Sequence, residues 1–228
     1  IPVFSFSQYT AIPDENFEKA LIDLGYDNVI DGKVLTANIS NVDTLNLHYK
    51  NIKDLKGIEA FTALSYLECS INQLTSLDVS KNTALEDLNC IANQLTTLDV
   101  SKNTALKKLS FGGNQLTNLN VSNNTALTYL NCISNQLTSL DLSKNTKLKE
   151  LYCKVNQLTN LDLSQNTALT HLDCDGNQLT NLDLSQNTAL TRLCCDGNLL
   201  KNKNLDIRKN TKLTHLYCSG LSKYNLIK

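Results

Sequence analysis

The residues most capable of chemistry in this 228-residue chain are its eight cysteines. Thiolates bind zinc, but residues about one repeat apart cannot gather four thiolates around one tetrahedral ion. Neighbouring members could approach disulfide range, although parallel side chains make the required dihedral angle awkward. The spacing therefore favours free, buried thiols that act as small hydrophobic residues. Seven of the eight form this series, with Phe111 in its third slot: Cys69, Cys90, Cys132, Cys153, Cys174, Cys195 and Cys218.

Cys194 and the histidines lie outside that series. Cys194 is out of phase with it, so we expect its thiol to be the one that can react. His171 and His215 are two repeats apart, roughly 10 Å along stacked strands, which is too far for one metal ion. Neither of these two histidines has a Ser or Cys beside it together with a third orienting group, and we expect His48, His171 and His215 to be surface histidines. We therefore predict a non-enzymatic protein with no catalytic residue, no metal ligand and no cofactor.

Acidic residues form a second regular series. Stacked carboxylates repel each other, so lysines or backbone amides must offset them. Calcium, which prefers oxygen ligands, is the sharper alternative. The regularity favours a structural role, and the cluster of Asp173, Asp175 and Asp196 is a weaker calcium candidate. The series, interrupted by Asn120, is Asp78, Asp99, Asp141, Asp162, Asp183 and Asp206.

These spacings belong to an internal repeat, L-x-x-L-x-C-x-x-N-Q-L-T-x-L-D-L-S-x-N-T-A. It starts at Leu64, Leu85, Leu106, Leu127, Leu148, Leu169 and Leu190, a step of 21 residues each time. The next start, Leu213, follows after 23, so two residues are inserted around 201–204. A looser repeat runs from Val42 to Leu55. Self-similarity at such a period indicates a solenoid.

Each repeat has two halves of the form L-x-x-L-x-L-x-x-N. In the first half, Leu130 and Cys132 alternate with Tyr129 and Asn131, which is the period-2 pattern of a half-buried strand. The asparagine that follows can satisfy backbone groups of adjacent coils. The second half is too short and too polar for a helix. We predict a mostly β solenoid with a parallel concave sheet and short extended or β segments on the convex side.

The repeat resembles the 21-residue leucine-rich repeats of the IRREKO type from Bacteroidetes-like bacteria. The first repeat, Leu45-Asn-Leu-His-Tyr-Lys-Asn-Ile-Lys-Asp-Leu, is similar to a 22-residue internalin repeat. The match covers residues 42–218. The resemblance implies a leucine-rich-repeat fold in a bacterial protein that is secreted or at the outer cell surface.

The two ends of a solenoid must be covered. We divide the chain into an N-terminal segment and helical cap (1–41), the solenoid (42–218) and a C-terminal end or cap (219–228). Residues 12–25 predict a short helix that Asp14 and Glu15 open and Gly25 ends. We expect residues 219–228 to cover the last coil, unless the sequence is part of a longer protein. The chain starts at Ile1, so an export signal is expected to be already removed or to lie outside the sequence.

Residues that differ between repeats concentrate at the outward strand positions and in the two positions after each strand. Exposed aromatic residues with aliphatic neighbours are typical anchors of protein interfaces. Preference of strands for Tyr and Ile would give the same composition without a binding role. We predict a partner-binding surface on the concave face that comprises Tyr49, Tyr66, Ile71, Ile91, Lys108, Tyr129, Ile133, Tyr152, Val155, His171, Arg192 and Tyr217.

Charge excludes several partners. The net charge of -1 and the lack of basic runs give no reason to expect nucleic acid or anionic lipid. No apolar stretch approaches the roughly 18 residues of a membrane span. On the concave face, acidic residues lie early (Glu68, Glu86, Asp87) and late, with lysines between them, which could orient a partner. We therefore expect binding of a protein, and a host protein is one candidate. A glycan, a structural spacer or the targeting arm of a longer enzyme remain alternatives, and the oligomeric state stays open.

Overall fold

The computed structural model describes residues 8–200, 205–218 and 226–227, and it shows a stack of short coils joined by one long parallel sheet. Each coil contributes one strand of three residues, and every strand pairs with those of the adjacent coils. The nine strands, in spatial order, are β3 (Thr44–Asn46), β4 (Tyr66–Glu68), β5 (Asp87–Asn89), β6 (Lys108–Ser110), β7 (Tyr129–Asn131), β8 (Glu150–Tyr152), β9 (His171–Asp173), β10 (Arg192–Cys194) and β12 (His215–Tyr217).

The register of the sheet stacks equivalent repeat positions. The central leucine of each strand pairs with the central leucine of the next, as Leu130 does with Leu109 and Leu151. These three leucines are fully buried, while the residues on either side of them face outward and are partly or fully exposed. The period-2 pattern therefore places one column of leucines in the core and two columns of variable residues on the sheet surface.

The core continues beneath the sheet with the cysteine column. Cys69, Cys90, Cys132, Cys153 and Cys174 are 0% exposed, and Phe111 fills the third slot with the same burial. The cysteines are free thiols, as the spacing predicts. Their small side chains leave room for the leucines of the second half-coil, such as Leu137 and Leu158, which are also fully buried.

Asparagines at the end of each strand bind the coils to one another. Asn93 shows the pattern: its Nδ2 donates to the carbonyls of Cys69 and Cys90 at 3.1 Å, and its Oδ1 accepts the N–H of Leu74 at 3.0 Å. One amide thus satisfies backbone groups of its own coil and of the preceding coil, as the sequence predicts. The same bonds recur at Asn72, Asn114, Asn135, Asn156, Asn177 and Asn198.

A second asparagine column holds the convex side. Asn145, which is fully buried, donates to the carbonyls of Val121 at 3.1 Å and Asn124 at 2.9 Å. Between the two columns, the back half-coils are extended and rich in turns, and one bridge joins Asp78 to Asp99. The described residues from 73 to 200 contain no helix. This agrees with the predicted short extended segments.

An N-terminal cap covers the first coil. It consists of β1 (Tyr9–Ala11) paired antiparallel with β2 (Lys33–Leu35), α1 (Glu15–Asp23) and α2 (Thr36–Ile39). Asp14 caps α1 by accepting the N–H groups of Asn16 and Phe17, and its other oxygen accepts those of Lys53 and Asp54. The predicted helix-opening residue therefore also ties the helix to the first repeat.

One face of α1 is buried in the cap. Phe17, Ala20 and Leu21 are fully buried, whereas Leu24, which follows the last residue of α1, is 43% exposed. Glu18 is buried, and its Oε1 accepts the N–H groups of Asp31, Gly32 and Lys33. A short 3-10 helix (Ile58–Ala60) then leads into the regular repeats.

At the C-terminal end a second small sheet pairs β11 (Leu205–Asp206) with β13 (Leu226–Ile227) in parallel. The backbone of the chain end thus returns to the second half of the preceding coil. The insertion at 201–204 and the rest of the proposed C-terminal cap, 219–225 and 228, lie outside the described residues.

We predict that Asn135→Ala lowers the free energy of unfolding by about 2–4 kcal/mol, because it leaves buried backbone groups without partners. Asn135 Nδ2 donates to the carbonyls of Phe111 and Cys132, and its Oδ1 accepts the N–H of Leu116. Urea unfolding followed by circular dichroism measures the change. Asn118→Ala, at an exposed position of the preceding coil, is the control and should stay within about 0.5 kcal/mol of wild type. Equal stability of Asn135→Ala and wild type would contradict the assigned role of this column.

Candidate functional site

The sheet surface presents two rows of outward side chains. The first residue of each strand forms one row, which runs Thr44, Tyr66, Asp87, Lys108, Tyr129, Glu150, His171, Arg192 and His215. The third residue of each strand forms the other row, which includes Tyr152, Cys194 and Tyr217. The predicted surface residues in strands therefore share one face.

Two tyrosines in adjacent strands form a pair at the middle of this face. The ring centroids of Tyr129 and Tyr152 lie 5.5 Å apart in a tilted arrangement. Tyr152 Oη donates to Glu150 Oε2 at 2.9 Å. Partial burial, followed by this bond and the charge of Glu150, raises the pKa of Tyr152 to about 12, so the phenol stays protonated. The pair is a rigid aromatic surface with one hydroxyl already engaged.

A shallow groove of about 420 Å³ adjoins the pair. Tyr66 and Tyr129 stand three strands apart, with Asn89 and Ser110 between them. Four residues of its lining were not among the predicted surface residues: Asn89, Ser110, Thr128 and Glu150. Their positions in or beside the strands are the signal that could have identified them. The lining is completed by Asp87, Lys108, Thr128, Lys149 and Glu150.

Turn residues after the strands divide into two kinds, according to their position in the repeat. Ile71 and Val155 are 45% and 48% exposed and have φ of 52° and 54°. Gly113, at the equivalent position of another coil, has φ 65°. Ile91 and Ile133 come one position earlier in the turn and are only half-buried. The strongly exposed aliphatic side chains are therefore Ile71 and Val155.

A left-handed backbone conformation is unfavourable for β-branched residues and costs about 1–3 kcal/mol. Glycine at this position, as in Gly176 with φ 61°, avoids that cost. Tyr49, which is 67% exposed, adopts φ 55° after β3. Three large exposed side chains thus occupy positions where the backbone favours glycine.

The late strands of the sheet carry the remaining predicted residues. The Arg192 guanidinium lies 5.5 Å from the centre of the Tyr217 ring, a cation–π contact across β10 and β12. His171 Nδ1 lies 3.0 Å from Thr170 Oγ1. The prediction that Cys194 is a reactive thiol is wrong, because its side chain is 5% exposed and burial raises its pKa.

Ion pairs connect the charged segments of the face. Lys107 Nζ lies 2.7 Å from Glu86 Oε2, and Lys154 Nζ lies 3.7 Å from Asp175 Oδ2. Both pairs join a lysine from the middle of the sheet to an acidic residue of an adjacent segment. The segmentation seen in the sequence is therefore partly neutralised between neighbouring coils, which weakens its value for orienting a partner.

The acidic column on the convex side has a local structural explanation. Asp162 Oδ1 accepts the N–H of Ser164 at 2.9 Å, and this bond, together with the Ser164 hydroxyl, lowers the pKa of Asp162. Asn120 makes the equivalent bond to Ser122 at 3.0 Å without a charge. The same turn recurs at Asp78, Asp99, Asp141, Asp183 and Asp206. These contacts support the structural interpretation of the column.

Comparison with known proteins identifies internalins as similar. No family model matches the chain. Internalin J of Listeria monocytogenes is 42% identical over 71 residues, which are 31% of this chain and 8% of that protein. The structure of the functional domain of InlJ from L. monocytogenes, which includes a cysteine ladder, is 30% identical with a TM-score of 0.54. That match covers 95% of this chain and 63% of the InlJ domain. Internalin C2 of the same species is 25% identical, with a TM-score of 0.63 and coverage of 98% and 97%.

The chain therefore has the leucine-rich-repeat fold, and its repeats are internalin-like. This fold is typical of proteins that bind partners along an extended concave surface. None of the described helices is both long and apolar enough to cross a membrane.

We predict that Cys218 is the first thiol to be alkylated in the native chain at pH 8. Cys218 is half-buried, and its hydrogen bond with Cys195 lowers its pKa. Burial, in contrast, raises the pKa of Cys90 and Cys132 to about 12. Only thiolates react with iodoacetamide. Short labelling followed by peptide mass spectrometry measures the order, and a denatured sample should be labelled at all eight cysteines. Early labelling of Cys194 would contradict the burial of its thiol.

We also predict that Asp162→Ala lowers the melting temperature at neutral pH, whereas Asp162→Asn does not. Asparagine keeps the acceptor for Ser164, as Asn120 does for Ser122. Since the folded pKa of Asp162 lies below its ordinary 3.8, the carboxylate stabilises the fold above that pH and the benefit is lost as pH falls through the folded value. The deficit of the alanine variant should therefore shrink as the pH falls through the folded pKa of Asp162.

Calorimetric scans with and without a calcium chelator complete this test. The structural interpretation predicts that the chelator leaves the melting temperature of wild type unchanged. A chelator-sensitive melting temperature would favour the calcium alternative for the acidic column.

Proposed function

We propose that the chain is a non-enzymatic module that recognises a protein partner through the concave sheet surface, with a host protein as one candidate. Its setting would be the exterior of a bacterium, at the cell surface or secreted, which follows from the resemblance to IRREKO-type and internalin repeats. The Bacteroidetes-like origin is part of the same proposal. The chain spans 63% of the InlJ domain that it resembles, so any activity of a longer protein that contains it is likewise only proposed.

The observation that carries the proposal is the Tyr129–Tyr152 pair beside the groove. Aromatic side chains fixed on a rigid sheet contribute contact area at low entropic cost, which is why tyrosine is enriched at binding hot spots. The two rings are held by each other and by the bond from Tyr152 to Glu150. A partner would therefore meet a surface that is already ordered.

Exposed aliphatic residues at strained positions support the same conclusion. Ile71 and Val155 keep β-branched side chains where Gly113, Gly176 and Gly197 occupy the same turn position in other coils. Strain of this kind is typical of functional positions. We propose that the surface extends from the tyrosine pair to these two side chains, with Tyr66, Lys108, His171, Arg192 and Tyr217 as further contacts in the strands and Tyr49, Ile91 and Ile133 in the turns.

We predict that the double variant Tyr129→Ala/Tyr152→Ala loses capture of the protein partner. Loss of two central aromatic anchors typically costs about 2 kcal/mol or more each, so binding should weaken by more than about a hundredfold. A pull-down from host serum or cell lysate, quantified against wild type, measures the effect. The variant also loses one aromatic contact, worth about 0.5–1.5 kcal/mol, so its unfolding is measured in parallel.

Two controls keep this test specific. Tyr9→Ala removes a tyrosine that is 55% exposed but lies in the N-terminal cap, and it should bind as wild type does. The second control, Tyr129→Phe/Tyr152→Phe, keeps both aromatic rings and should retain capture. Capture that survives the double alanine change would reject this surface. Binding on a glycan array without any protein partner would favour the glycan alternative, for which Tyr66 and Tyr129 would serve as stacking platforms.

A further inference from the structure

Near the C-terminal end of the concave sheet, two aspartates of one coil lie beside a cysteine of the next coil, and all three can ligate a metal ion. Asp173 is the last residue of β9 and pairs directly with Cys194, the last residue of β10. Asp175 follows in the turn after β9. One ligand atom from each of Asp173, Asp175 and Cys194 lies within 4.8 Å of the other two. They are the one such group among the residues that the structure describes.

These side chains are sheltered and held in place. Cys194 is 5% exposed, and the side chain of Asp175 is 17% exposed. Asp173 Oδ1 accepts the N–H of Asp175 at 3.2 Å, and Asp175 Oδ1 accepts the N–H of Asp196 at 2.7 Å. Each carboxylate is thus oriented by a backbone amide. Such fixation reduces the entropy lost when ligands converge on an ion.

The group differs from a simple patch of surface acids. Two carboxylates alone would be ordinary on a solvated surface, and a single thiol alone would be a small hydrophobic residue. Here a nearly buried thiol faces both carboxylates. The coils before it place Asn131, Ile133, Tyr152 and Lys154 at the corresponding positions, and none of these is a carboxylate or thiol. The ligating residues therefore occur together only where the coils that contain β9 and β10 meet.

We propose that Asp173, Asp175 and Cys194 form a binding site for a divalent transition-metal ion, with zinc as the best match. One thiolate and two carboxylates suit a borderline ion such as Zn²⁺ better than calcium, which prefers oxygen ligands only. Three protein ligands leave a fourth tetrahedral position for water or for a group of a bound partner. The sequence predicts no metal ligand, and at this end of the sheet its weaker candidate is a calcium cluster of Asp173, Asp175 and Asp196, which the proposed site replaces.

The geometry requires a modest contraction. Zinc bonds of about 2.3 Å to sulfur and about 2.0–2.2 Å to oxygen place tetrahedral ligands roughly 3.5 Å apart. The three ligand atoms lie within 4.8 Å of one another, so they must approach each other by roughly 1 Å when the ion binds. A cation now pairs with the group, since Lys154 Nζ lies 3.7 Å from Asp175 Oδ2. The long side chain of Lys154 is 44% exposed and can withdraw.

Calorimetric titration of the reduced, full-length chain with ZnCl₂ tests the site. We expect one equivalent to bind. Cys194→Ser and Asp173→Asn should each weaken binding at least about tenfold. Titration with CoCl₂ gives a second readout, because a cobalt–thiolate bond produces a charge-transfer absorption in the near ultraviolet that Cys194→Ser must remove.

Two comparisons exclude other causes. Asp162→Asn changes an exposed aspartate on the convex side and should bind zinc as wild type does. Cys194→Ser retains the seven other cysteines, so unchanged zinc binding in that variant would assign the ion to the core thiols and overturn the proposal. Absence of binding, or a cobalt complex without the thiolate band, would overturn it too. The tyrosine pair is not part of the site, so this result leaves the proposed protein surface untouched.

Discussion

Stacking of short coils depends on how buried backbone groups between them are satisfied. A coil of this length turns sharply at the end of each strand, where carbonyls and amides point into the interior and cannot reach water. Asn93, with two donors and one acceptor on a single short side chain, binds groups of two coils at once. No apolar residue could replace it there without leaving those groups unpaired, which is why the asparagines are invariant while neighbouring positions change. Once this column is in place, the leucines and cysteines need only fill the space between the two halves of the coil.

That dependence explains how much of the fold could be predicted from the sequence. A single leucine–cysteine–asparagine pattern specifies strand, turn and core, and its repetition specifies the stacking, so the parallel sheet and the free thiols could be predicted. The N-terminal cap was less accessible. The capping role of Asp14 is local, but its bonds to Lys53 and Asp54 depend on how the helix packs on the first coil. The exposure of Leu24 likewise reflects where that packing ends.

Prediction was weaker for the surface, because the repeat identifies outward positions but not their individual environments. Ile71 and Ile91 stand one position apart in the repeat, but only the structure shows that they differ in exposure and backbone conformation. The burial of Cys194 could not be predicted, because it depends on neighbours from adjacent coils. Glu150, half-buried in the same strand as Tyr152, was overlooked because only its contact with that phenol distinguishes it from the other acids of the face. Each error concerns the surroundings of a side chain rather than its position in the repeat.

Contacts between coils are also what makes a repeat scaffold able to acquire sites. Strands stacked about 4.8 Å apart place corresponding residues within bonding distance, although they are a full repeat apart in sequence. A substitution in one coil therefore meets a substitution in the next, and the framework beneath is unaffected. Tyr129 with Tyr152 and Asp173 with Cys194 are two products of this arrangement, one aromatic and one metal-ligating. Because both pairs lie across the same sheet and rest on the same buried leucines, they can differ in chemistry without differing in fold.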